Sequence, residues 1–181
     1  GFNLGGNSNE TRGLFFGGHA PADRDVIDFV TIASTGNAID FGNLLSVTHG
    51  IIGCASPTRG VMAGNSTPNN VIQFVTIATT GNAQDFGDLI RATHNMGSAS
   101  NATRGLFGGG SQTPTNEIQY ITIASLGNAV NFGDLSVARQ CSDGAPSPTR
   151  CLFGGGYQPG NSNVIDYVEF ATQGSAVDFG D

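Results

Sequence analysis

The chain contains no lysine and no tryptophan, only three cysteines, and no apolar run near the ~18 residues that a membrane-crossing helix needs. Each absence removes a class of function. Its 7 basic residues, all arginine, stand against 14 acidic ones for a net charge of -7, whereas phosphate backbones call for clustered Lys and Arg. Nucleic acid is therefore not an expected partner, and membrane insertion is not expected either. Cys54, Cys141 and Cys151 are odd in number and do not recur from repeat to repeat as framework disulfides should. We expect them to be reduced and buried, since a bridge between Cys141 and Cys151 would set a short hairpin out of register.

What is abundant is glycine, 28 of 181 residues, together with enough Phe, Ile and Val to rule out a disordered linker. The sequence repeats. Arg12, Arg59, Arg104 and Arg150 are spaced 47, 45 and 46 residues apart, and Phe41, Phe86, Phe132 and Phe179 follow at 45, 46 and 47. A period of this size means a propeller or a solenoid. Gly, Thr, Asn and Ser interrupt every window in which a helical apolar pattern could develop, so each unit reads as short strands joined by tight turns.

The strongest strands are expected near residues 26–33, 71–78, 117–124 and 164–171. In the first of these, one face carries Ile27, Phe29 and Ala33 and the other Val26, Val30 and Ile32. A sheet wetted on one side would alternate, so these sheets should be covered on both faces, as stacked blades are. The expectation is an all-β chain of four antiparallel, four-stranded blades of about 46 residues, spanning approximately residues 1–44, 45–89, 90–135 and 136–181, with the blade-to-blade contact as its core. Gly1 falls inside a repeat and no Met opens the chain. We therefore expect a processed chain or part of a longer one, and four as a minimum number of blades.

The segments Arg104-Gly105-Leu106-Phe107-Gly108-Gly109 and Arg150-Cys151-Leu152-Phe153-Gly154-Gly155, with Tyr120 and Tyr167 downstream, resemble the kelch repeat and its strand ending in a double glycine. The resemblance covers nearly the whole chain and implies a kelch-like β-propeller. The tandem phrases Thr-Arg-Gly-Leu-Phe-Gly-Gly-Gly and Gly-Asn-Ala-x-Asp-Phe-Gly-Asp resemble, in turn, tail- or fibre-associated repeat proteins of marine, cyanophage-like bacteriophages. That likeness implies a virion or extracellular component that contacts a host surface or a neighbouring tail protein.

Several motifs invite a chemical reading and do not sustain it. Asp-Phe-Gly at Asp40, Asp85 and Asp178 matches the kinase magnesium motif, but a chain without Lys cannot supply the lysine that such a site requires. The glycine clusters precede strands rather than the helix N-terminus that makes a phosphate cradle. The four repeated arginines could bind an anion on the axis. We instead expect them to brace turns by bonding carbonyls and the acids Asp40, Asp85 and Asp178. His19, His49 and His94 lack zinc-ligand spacing, so no metal or other cofactor is expected.

Comparison of the units with one another shows variation concentrated in the loop after the glycines, at residues 19–25, 65–70, 111–116 and 157–163. In an antiparallel blade this loop opens on the same face as the connection between blades. His19, Asp23, Arg24, Asn65, Asn69, Gln112, Asn116, Tyr157 and Asn161 are accordingly the candidate contact residues for a glycan or a protein. The functional expectation is a non-catalytic structural or adhesive module whose partners are other virion proteins or host-surface glycan, with a homo-oligomer also allowed. The alternative is a propeller enzyme acting on glycans, which would need a non-repeated set of acids or metal ligands converging on one mouth.

Overall fold

The computed structural model describes residues 3–67, 69–111 and 115–181. Among these, every regular element is a strand. The first sheet comprises β1 (Gly5–Ser8), β2 (Arg12–Phe16), β3 (Arg24–Thr31) and β4 (Ile39–Thr48). The second comprises β5 (Ile52–Ala55), β6 (Arg59–Ala63), β7 (Val71–Thr76) and β8 (Gln84–Asp88). The third is built from β9 (Gly97–Ser100), β10 (Arg104–Gly108), β11 (Glu117–Thr122) and β12 (Val130–Asp134), and the fourth from β13 (Asp143–Pro146), β14 (Arg150–Gly154), β15 (Ile165–Glu169) and β16 (Val177–Gly180). Each sheet is an antiparallel meander in sequence order, so the all-β reading in four-stranded blades holds.

The strongest strands end earlier than expected. They end at Thr31, Thr76, Thr122 and Glu169, because Ile32, Ile77, Ile123 and Phe170 turn away to donate their N–H groups to the carbonyls of Thr11, Thr58, Thr103 and Thr149. The first blade also runs past residue 44, since β4 continues to Thr48 and pairs it with Arg24.

The core is divided among the joints between blades. One cluster joins Leu14, Phe29 and Phe41 of the first blade to Met62, Val75 and Ile77 of the second. Another joins Val61, Phe74 and Phe86 to Phe107, Ile121 and Ile123, and a third joins Leu106 and Phe132 to Phe153, Val168 and Phe170. Both faces of the two inner blades are therefore buried, as the apolar character of both strand faces required.

The Asp-Phe-Gly phrase acquires a structural explanation at these joints. The third and fourth strands of each blade lose register beside it, a β-bulge that turns Phe41, Phe86 and Phe132 into the joint. There they meet Phe29, Phe74 and Tyr120 edge to face at centroid distances of 5.9, 5.9 and 5.7 Å. The glycine that follows, at Gly42, Gly87 or Gly133, has positive φ and lies against the backbone of Gly81, Gly127 or Gly174 in the next blade, where a Cβ would clash. The outer strand then bonds the next blade's turn: Gly81, Gly127 and Gly174 donate to the carbonyls of Phe41, Phe86 and Phe132 at 2.7, 2.8 and 2.8 Å.

The inner strands sit side by side around a common space of about 470 Å³ and are made of small residues, because blades converge there. Ser98 and Ser100 donate their hydroxyls to the carbonyls of Gly53 and Ala55 at 2.9 and 2.8 Å. Asn7 donates to those of Cys54 and Val61.

The two ends of the run differ from its middle. Ile32 is 54% exposed, where its counterparts Ile77, Ile123 and Phe170 are at most 1% exposed. Phe179 is 57% exposed, where Phe41, Phe86 and Phe132 are at most 3% exposed. The first and fourth blades thus each turn one core-type face outward, correcting the expectation that the face bearing Val26, Val30 and Ile32 is covered.

Candidate functional site

The repeated arginines lie at the joints. Arg12, Arg59 and Arg104 each donate from Nη1 to a carbonyl of the following blade, that of Ile77, Ile123 or Phe170, at 2.7, 2.9 and 2.5 Å. Each guanidinium also covers an aromatic ring of its own blade, Phe29, Phe74 or Tyr120, at 4.6, 4.9 and 5.0 Å from the centroid. The expected pairing with Asp40, Asp85 and Asp178 is absent among the described contacts; the backbone carbonyl takes the guanidinium instead. Arg150 stacks on Tyr167 at 4.7 Å and meets Glu169 of its own blade at 2.5 Å, a pair that raises its pKa further.

The turns between first and second strands are locked by Asn9, Ser56, Asn101 and Ser147. Their side-chain oxygens accept from the N–H of Arg12, Arg59, Arg104 and Arg150 at 2.8, 3.1, 2.8 and 2.9 Å. Together these four turns ring a depression of about 540 Å³ at one end of the axis.

The variable loops open at the other end, beside the connections between blades. Asp23, in the loop between β2 and β3, accepts at one carboxylate oxygen from both His19 and His49, each Nδ1 lying 2.8 Å from Oδ1. Its other oxygen accepts from the Ser66 hydroxyl at 3.0 Å. Three segments thereby converge: the first blade's loop, the connection carrying His49, and the second blade's loop carrying Ser66. The two imidazoles meet edge to face at 5.7 Å. Hydrogen bonds from His19 and then His49 hold the Asp23 carboxyl at about 2, against an ordinary 3.8. His94, which occupies nearly the same repeat position as His49, has its pKa lowered by burial and by the neighbouring His49.

The remaining candidate residues are distributed differently. Arg24 is engaged with the carbonyl of Ala20 in its own loop, at 2.6 Å from Nη2. Asn65 is buried, donating to Ser46 and accepting from the Thr67 N–H, and Asn69 accepts from the Val71 N–H. These asparagines shape their loops rather than face solvent. Asn116 and Asn161 are exposed, and Tyr157, 47% exposed, forms backbone bridges to Gln140 and Asn161. Gln112 lies outside the described residues. The loops touch through these connections: Thr93 donates to the carbonyl of Ser111, and the Ser111 hydroxyl meets the side chain of Gln140.

The pairing of Asp166 with Arg139 escaped the sequence reading. Asp166 and Arg139 form a fully buried ion pair at 2.9 Å, with Arg139 also donating to the carbonyl of Phe153. Asp166, which accepts from the N–H of Ser136, takes the place of Gln73 and Gln119, which accept from the N–H of Leu45 in β4 and of Ile90 just after β8. The exchange of the middle blades' neutral Gln for a charged Asp, with Arg139 in the connection leading into the same blade, was the available signal. Among the cysteines, Cys54 and Cys151 are buried but Cys141 is exposed, which corrects the expectation for that residue.

Comparison with family models and with curated proteins gave no match for this chain.

Proposed function

We propose that the chain is a non-catalytic structural and adhesive module, an arc of propeller blades that works within a larger assembly, as a tail- or fibre-associated part of a virion. The observation that carries this reading is the pair of uncovered end faces. The first blade presents Phe15 and Ile32, 45% and 54% exposed, at positions where every later blade buries its residue against a predecessor. The fourth presents Phe179 beside an Arg150 that lacks the following blade's carbonyl. One face is the complement of the other, so a second copy added head to tail would repeat the interior joint. The repeated phrases serve joints and turns, which suits a scaffold.

The virion assignment rests on the resemblance of the tandem phrases to phage repeat proteins. The variable loops, with Tyr157 and Asn161 exposed, are the surface offered to a neighbouring virion protein or a host glycan. Sedimentation equilibrium over a concentration series tests the scaffold reading: we expect reversible association, and a strict monomer throughout would overturn it. Glycan binding without turnover is expected alongside, whereas hydrolysis of a surface polysaccharide that survived repurification would establish the enzyme alternative.

A further inference from the structure

We infer that His19, Asp23 and His49 form a binding site for one divalent transition ion of the zinc class, set on the variable-loop face between the first and second blades. One donor atom from each residue, Nδ1, a carboxylate oxygen and Nδ1, lies within 4.8 Å of the others. The two nitrogens each stand 2.8 Å from the same oxygen. Neighbouring ligands on an ion with 2.0–2.1 Å bonds are separated by about 3.0 Å in octahedral and about 3.3 Å in tetrahedral geometry. The two N–O gaps need to widen by only a few tenths of an ångström, and the two nitrogens, already within 4.8 Å of each other, need to draw together by side-chain rotation to seat the ion.

Three features mark this cluster off from an ordinary His–Asp pair. Two imidazoles from separate segments turn the same ring nitrogen onto one oxygen, an arrangement with the two-histidine, one-carboxylate composition of open metal sites. The opposite carboxylate oxygen is held by the Ser66 hydroxyl, the kind of outer partner that fixes a ligand's orientation. All three ligands are half-buried, so the site is framed by protein yet reachable by an ion. The set is also unrepeated. The second blade's loop, residues 65–70, has Asn65 where the first has His19 and contains no acidic residue, which leaves His94 without such a carboxylate from that loop.

Imidazole and carboxylate together select zinc-class ions, whereas calcium and magnesium prefer all-oxygen shells. Three protein ligands leave at least one position for water or for a donor from a bound partner. The ion would also tie the first blade's loop to the connection leading into the second.

The test uses the untagged chain with Zn2+ or Co2+ alone as the probe. Isothermal titration should give one saturable site per chain, Co2+ should develop visible absorption bands that Zn2+ abolishes, and a large excess of Mg2+ or Ca2+ should not compete. His49→Ala and Asp23→Asn should each lower affinity at least tenfold, and Ser66→Ala should lower it several-fold, with circular dichroism unchanged. The unsubstituted chain should show a Zn2+-dependent rise in its unfolding midpoint that chelator reverses, a readout that needs no variant to fold. Absence of saturable Zn2+ uptake, equal competition by Mg2+ or Ca2+, or uptake unaffected by His49→Ala would overturn the assignment.

Discussion

Arg12, Arg59 and Arg104 make the same two contacts, an aromatic face behind and a carbonyl of the next blade ahead, while Arg150 keeps the ring and exchanges the carbonyl for Glu169. Removing Arg104 leaves the Phe170 carbonyl without its donor, so Arg104→Ala should cost about 1–3 kcal/mol in chemical denaturation. Arg150→Ala removes only an exposed contact and should leave the unfolding midpoint unchanged. Equal losses in the two variants would show that the carbonyl bond is not what matters. Added sulfate should not raise the midpoint of the unsubstituted chain, because these guanidiniums are already engaged. The thiols sort by burial. Desolvation pushes Cys54 up to about 12 from 9.0 and raises Cys151 as well, while Cys141 is exposed. At pH 8 a thiol reagent should label Cys141 rapidly and reach Cys54 and Cys151 only after unfolding. Because the folded pKa of Cys54 lies above its unfolded one, its contribution to stability is complete below pH 9 and lost as pH rises toward 12. A Cys54→Ala chain should show less of that alkaline loss in a melting series.

At the scale of the element, each bulge sends an aromatic ring and a glycine to the joint together. Gly87→Ala would drive a Cβ into the backbone of Gly127, whereas at Gly180 nothing lies within 4 Å of the added atom. Both positions have positive φ, 147° and 143°, so both variants carry backbone strain and only the first adds the collision. We expect Gly87→Ala to lower stability by about 1–3 kcal/mol more than Gly180→Ala, measured by urea unfolding. Sequence periodicity foretold the strands because apolar residues on both faces demand covered sheets. It did not foretell where the strands stop: Ile77 continues the apolar pattern, yet its N–H belongs to the Thr58 turn. Nor did it reveal that arginine would choose a carbonyl of the next blade over an aspartate of its own, since the choice depends on how blades abut.

For the whole molecule, the outward faces set the behaviour. Ile32→Glu and Phe179→Glu, made separately, should each weaken self-association at least tenfold in sedimentation while leaving circular dichroism intact, because each charge would have to be buried at a repeated joint. Unchanged association would place any contact elsewhere. The variable-loop face was legible in the sequence as a place but not as a chemistry. His19 and Asp23 are four residues apart in the first loop, yet His49 belongs to the connection between blades, and only the fold brings all three together. A search for paired histidines at metal spacing passes over such a set, because the aspartate is the shared partner.

The clusters that hold this chain together lie between consecutive blades, so its three joints stand in series. A tensile load applied through the chain ends is carried by every joint alike, and rupture begins at whichever is weakest. Release of one blade of about 46 residues adds roughly 150 Å of extensible contour at 3.3 Å per residue. A pull would therefore be met by stepwise yielding, a way to absorb a sudden jerk while the blades still folded keep their grip.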